Sequence, residues 1–99
     1  MLLRTIALTC AGVLLVAAPA TAAGNRVAVG DDYFRPGVKT VAKGTRVVWV
    51  NVGSSPHTVT TRNWSRNLNP GQRYARVVKR GFRYHCIYHS DMTGRIVIG

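Results

Sequence analysis

The stretch FRYHCIYHSDMTGRIVI, residues 82–98, carries two patterns in succession. Its first part alternates. Phe82, Tyr84 and Cys86 fall on one side of an extended chain, and Arg83, His85 and Ile87 fall on the other. The first set is the natural core face, so Cys86 stands at the inner end of a buried strand, where a loop begins. In the second part Cys86, His89 and Met92 follow one another at intervals of three residues. Apolar alternation then restarts near Gly94. A tight turn between two strands can gather three such side chains around one point.

Outward from this stretch the chain keeps the same texture. Short runs rich in β-branched and aromatic residues are separated by turn residues: NRVAV before GDD, GVKTV before AKG, TRVVWVNV before GSSP, then HTVTT, QRYARVV, FRYHCIY and GRIVIG. The segment RNWSRNLNPG is less regular, and no useful length repeats at helical period. In TRVVWVNV both faces are apolar, Val47 with Trp49 and Val48 with Val50, which marks a central strand. The reading is an all-β domain, a small Greek-key β-sandwich of about seven short strands. Trp49 and Trp64 are expected in core and loop packing. Asp31 and Asp32 are expected to form a turn, since neighbours on a strand cannot share a face.

The first residues read as a secretory signal, with Arg4 as the positive end, an apolar run from Ile6 to Ala18, and small residues at 20–23. Cleavage after Ala23 leaves residues 24–99 as one mature domain, exported to a periplasmic or extracellular space. Cys10 departs with the signal, so Cys86 has no partner for an intramolecular disulfide. So small a domain usually needs a staple. With no disulfide available, a metal is the leading one.

The chain has 14 Lys and Arg against 3 acidic residues and a formal net charge of +11. Only Arg4 of these cations leaves with the signal. Such an excess suits an acidic redox partner or an anionic membrane or wall polymer. Apart from Lys79 and Arg80 the basic residues are scattered, and no nucleic-acid motif is present, so specific nucleic-acid binding is not expected. Arg62, Arg66 and Arg95 are expected around the site, on a monomer.

A metal needs a fourth donor, and SSPHTV offers His57 at the start of its own strand. Two imidazoles, a thiolate and a thioether form a soft set with one weak member, which suits copper moving between Cu(I) and Cu(II). The thioether is the informative member, because zinc sites rarely recruit it. His85, on the opposite face from Cys86, is read as structural.

On these residues the sequence resembles the cupredoxins, the blue-copper proteins, and within them amicyanin and plastocyanin. The shared features are DDYFRPGVKTVAKGTRVVWVN, PH, LNPGQRY and the pattern G-x-x-Y-H-C-x-x-H-x-x-M-x-G-x-I-x-I, together covering nearly all of the mature chain. The two-residue gap between His89 and Met92 is similar to amicyanin. The resemblance implies His57, Cys86 and His89 as equatorial copper ligands and Met92 as the long axial one. It also implies that Asn51 hydrogen-bonds across to the cysteine loop and holds it rigid. Two departures stand out: Tyr88 replaces a proline common before the second histidine, and the first strands are expected to be short.

The function so implied is a one-electron carrier between redox partners, with the outer edge of His89 as the exit route. A copper chaperone or buffer using the same ligands is the alternative. An enzyme is not expected, because three histidines are too few for a multicopper centre and no Asn or Asp is spaced to orient a Cys86–His57 nucleophile pair. A c-type haem is excluded by the lack of C-x-x-C-H.

Overall fold

The computed structural model describes residues 25–99, so the expected signal and its cleavage point lie outside the described residues. Nine strands account for the regular structure: β1 (Arg26–Val29), β2 (Phe34–Arg35), β3 (Val38–Val41), β4 (Thr45–Asn51), β5 (His57–Thr60), β6 (Ser65–Leu68), β7 (Arg73–Val78), β8 (Phe82–Cys86) and β9 (His89–Ile98). They form a four-stranded sheet in the order β2-β1-β4-β7 and a five-stranded sheet in the order β3-β9-β8-β5-β6. Both sheets are mixed: β1 runs parallel to β4 and β3 parallel to β9, with antiparallel neighbours elsewhere.

The expected sandwich is present, with two strands more than the alternation suggested. Those two, β2 and β6, carry little local signal. β2 has two residues, and in β6 only Leu68 of Ser-Arg-Asn-Leu is buried. β6 is made by pairing, through the register His57↔Leu68 to Thr60↔Ser65 on β5. Burial elsewhere follows the alternation. Val47, Trp49 and Val50 are buried on the central β4, and Tyr84 and Cys86 on β8, where Arg83 and His85 face out.

Trp49 on β4 meets aromatic rings of both sheets. It packs edge-on to Tyr84 at 5.6 Å between ring centroids, stacks on Tyr74 at 6.1 Å, and meets Trp64 and Phe82 at 6.3 Å each. Such aromatic packing supplies much of the apolar burial available to a domain without a disulfide. Trp49 Nε1 and Tyr84 Oη are both buried within it, and burial raises the pKa of the Tyr84 hydroxyl above its ordinary value. Gly94 stands opposite Tyr84 on β9, and a Cβ there would overlap the tyrosine ring, which is why the motif around Met92 continues with glycine.

Two tight turns set the strand ends. Thr45 N–H donates to Ala42 C=O at 3.1 Å and Gln72 N–H to Asn69 C=O at 2.9 Å, with Gly44 (φ 89°) and Gly71 (φ 86°) as the third residue of each turn. A positive φ there is the type II geometry that favours glycine, and Pro70 fits the preceding position. Gly71 N–H then donates to Asn51 C=O at 2.9 Å, so this turn closes over the end of β4.

Candidate metal centre

Three strand ends converge. β5 begins at His57, β8 stops at Cys86, and β9 begins at His89. Cys86 pairs with His89 across a two-residue turn of Ile87 and Tyr88, after a register shift between His85 and Cys86. The turn is thus tighter than the spacing suggested. His89 and Met92 lie on β9 itself, and not in a loop ending near Gly94, because the shift lets pairing resume at once. The bulge re-aims Cys86 and His89 onto the same end of the sandwich.

Cys86 Sγ lies 3.7 Å from His57 Nδ1 and 3.8 Å from His89 Nδ1. The three donor atoms all fall within 4.8 Å of one another. His57 and Cys86 are fully buried and His89 is exposed. Met92 is buried on the inward face of β9, in the same apolar cluster as Cys86. His57, Cys86 and His89 therefore gather at one end of the fold, and Met92 follows His89 by three residues on the same strand.

The spacing can be tested against a metal. Metal–nitrogen and metal–sulfur bonds of about 2.0 and about 2.3 Å, opened to the roughly 120° of a trigonal plane, separate sulfur from nitrogen by about 3.7 Å. Tetrahedral angles would bring them to about 3.5 Å. The observed 3.7 and 3.8 Å are of that size, so both histidines and the cysteine are within reach of one ion. Two imidazoles and a thiol converging at one point, with a buried thioether on the same strand as His89, fit a single type 1 copper ion.

The surroundings differ from the expectation, first at Asn51. Asn51 is buried, but it does not reach the cysteine loop. Its Nδ2 donates to Ser55 C=O at 2.9 Å and Leu68 C=O at 2.8 Å, and its Oδ1 accepts from Gly53 N–H at 2.8 Å. It braces the 53–55 loop that leads into His57. The tie to the cysteine loop is made by Thr58, whose hydroxyl accepts the Ile87 N–H at 2.9 Å. Thr58 N–H also points at Cys86 Sγ, 3.4 Å away. A side chain next to a ligand is the nearer brace, because its strand already lies beside β8.

Asp31 is the residue the sequence reading missed. Its Oδ1 lies 3.1 Å from His57 Nε2 and accepts the N–H groups of Ser54 at 2.9 Å and Ser55 at 3.2 Å, while Oδ2 accepts the Ser54 hydroxyl at 3.0 Å. The His57 contact first, then the Ser54 bonds, hold its carboxyl at about 2, below the ordinary 3.8. Nothing in the local sequence GDD marks this role. Asp32 makes no such contact among the described residues.

The expected ring of arginines is also redistributed. Arg62 follows the far end of β5, and Arg95 pairs with Arg83 and Val38. Arg66 stands opposite Val59, two residues along β5 from His57, and lies over the Tyr74 ring at 5.0 Å. On the turn just before His89 the exposed residues are large and apolar instead, Ile87 at 59% and Tyr88 at 58%, while Ser90 and Asp91 are exposed just after it. Tyr88 Oη donates to Asn67 at 3.2 Å, which anchors the rim to β6.

Among solved structures, 75% of this chain matches 98% of a purple cupredoxin from Nitrosopumilus maritimus at 22% identity, with a TM-score of 0.65. The same share matches 80% of a reduced amicyanin variant at 21% identity and a TM-score of 0.67. This is the cupredoxin fold. A copper-containing nitrite reductase from Thermus scotoductus matches at 22% identity and a TM-score of 0.68, but over only 22% of its own length. The cupredoxin architecture thus occurs both as a small protein and as a part of a larger enzyme. No family model matches the sequence, and neither does any curated protein.

Proposed function

We propose that the protein is an exported blue-copper electron carrier that passes single electrons between redox partners and transforms no substrate. One observation carries the reading: two buried donors and one exposed donor, all within 4.8 Å of one another, at the end of a cupredoxin sandwich. Copper, when bound, supplies the Cu(II)/Cu(I) couple. The chain supplies everything else.

His57 and Cys86, held in the core, exclude water from most of the site. Met92 would offer copper a weakly binding thioether, which would tune the potential without governing whether the metal binds. Thr58 N–H, aimed at the sulfur, takes up part of the thiolate charge. The braces on both ligand segments resist movement, so little has to rearrange when the charge changes by one. His89 gives the only exposed edge of the ligand cluster. With Ile87 and Tyr88 it forms an apolar rim through which a partner can approach closely, and we assign electron exit to it.

The basic surface fits an acidic partner or an anionic envelope surface. Among the described residues no Lys or Arg is in a salt bridge, so their field is left unneutralised. Export is supported by the signal-like residues 1–23.

The test is a visible spectrum of the purified protein with Cu(II). An intense thiolate-to-copper band is expected, and Cys86→Ser is expected to abolish it. A parent spectrum without that band, or a Cys86→Ser spectrum that keeps it, would overturn the assignment. A copper-handling role would show instead as rapid loss of Cu(I) to a competing chelator, with no turnover between electron donor and acceptor.

A further inference from the structure

A metal held by Cys86, His57 and His89 needs only one ring nitrogen of each histidine. His57 uses both. Its Nδ1 faces Cys86 Sγ at 3.7 Å, and its Nε2 faces Asp31 Oδ1 at 3.1 Å. Resting on the copper reading, we propose that Asp31 is the positioning residue that fixes the His57 ring and sets the copper site's reduction potential.

The geometry leaves one arrangement of protons. With Nδ1 turned to the metal cluster, Nε2 carries the hydrogen and donates it to the carboxylate. A ligating imidazole that donates its other N–H to a carboxylate is held in one tautomer and one orientation, and becomes more electron-rich. More electron density at Nδ1, with a negative charge beyond the ring, favours Cu(II) over Cu(I). The expected consequence is a potential lower than the four ligands alone would give.

The placement of Asp31 is built. It comes from the turn after β1, 26 residues before His57, and is not part of the strand ends that carry the donors. Its Oδ1 accepts three donors in succession along the approach to the ligand: Ser54 N–H, Ser55 N–H and His57 Nε2–H. Gly53 makes room for it, since a Cβ there would overlap Asp31 Oδ1. No positive φ is required at Gly53, so the close approach of the carboxylate is the reason for glycine at that position. The His57 ring is fully buried, while the Asp31 side chain is half exposed at 51%. Asp31 therefore places a solvated negative charge against a ligand that solvent cannot reach.

A plainer role would be to staple the 53–55 loop. The two roles separate experimentally. Asp31→Asn keeps the shape and an acceptor for Ser54, Ser55 and His57, and removes the charge. Gly53→Ala keeps the charge and displaces it. Ser54→Ala removes one loop bond, the hydroxyl to Oδ2, and leaves the His57 contact intact.

The measurement is the reduction potential of the copper-loaded full chain, by spectroelectrochemistry on the blue band. It is joined by ¹H–¹⁵N NMR of the His57 ring in the Cu(I) form. Asp31→Asn is expected to shift the Cu(II)/Cu(I) equilibrium about tenfold toward Cu(I), which for a one-electron couple is a rise of about 59 mV. Gly53→Ala is expected to move the potential the same way by less, with faster solvent exchange of the Nε2 proton. Ser54→Ala is expected to melt earlier at an unchanged potential. An unmoved potential in both Asp31→Asn and Gly53→Ala would overturn the inference, as would a Ser54→Ala shift equal to that of Asp31→Asn. Absence of the blue band in the parent would overturn the copper reading and this inference with it; the band present with an unmoved potential overturns this inference alone.

Discussion

Replacing Thr58 by valine removes one acceptor from the join between the two ligand-bearing segments and changes little else. The Thr58 hydroxyl takes the Ile87 N–H at 2.9 Å and a hydrogen bond from Thr60 Oγ1, also at 2.9 Å. Valine matches threonine in shape and suits a strand equally well. Thr60 keeps its bond to the Ser65 hydroxyl at 2.7 Å, so the net loss is the partner of Ile87 N–H. Ile87 is 59% exposed, and water can partly replace the lost acceptor. That puts the cost at the lower end of the range for an unmade bond, about 1 kcal/mol. In a domain of this size the melting temperature falls by roughly 4–8 °C for each such loss. Circular-dichroism melts of the parent, Thr58→Val and Thr58→Ser measure it. The serine variant keeps the hydroxyl and is expected near the parent. In the copper-loaded valine variant a broader blue band is expected as the Cys86 turn loosens, although Thr58 N–H still faces the sulfur. A valine variant that melts with the parent, or a serine variant that falls as far, would refute Thr58 as the tie between the segments.

If Met92 is the weak fourth ligand, Met92→Gln is expected to keep the blue band and lower the potential, and Met92→Leu to keep it and raise it; loss of copper in both variants would show that Met92 does more than tune. Copper that binds only the folded chain adds about 2.7 kcal/mol at a free concentration of 100 times Kd. The loaded protein is therefore expected to melt roughly 10–20 °C above the same protein after chelation, and equal melting temperatures would make the metal incidental to stability. Oxidation of the Cu(I) protein by ferricyanide, followed by stopped flow, is expected to slow as salt rises, since screening weakens the attraction of a cationic protein for an anion. Arg66→Glu, nearer in register to His57, is expected to cost more of that rate than Arg62→Glu; a flat salt profile would leave the basic surface with no steering role.

What could be read without the structure was local. Alternation in TRVVWVN and FRYHC gave the buried faces of β4 and β8, since a period of two needs nothing beyond neighbouring residues. Cys86, His89 and Met92 were legible because their spacing is short and their donor chemistry unusual. His57 was legible because it opens a strand in a chain with few histidines. β6 was not legible as a strand, since its three polar residues face solvent and only pairing with β5 defines it.

The sequence by itself determined the class of fold and the four candidate donors. Only the tertiary structure decided what braces them. Asp31 reaches His57 across 26 residues, and Thr58 reaches Ile87 across 29. Asn51 turns to Ser55 and Leu68 instead of the cysteine turn. The reason is physical. Donor identity is a property of side-chain chemistry and survives in a linear reading, whereas a hydrogen bond between distant segments depends on angles and on distances good to a few tenths of an ångström. Those are fixed only when two sheets close on each other and the strand ends meet.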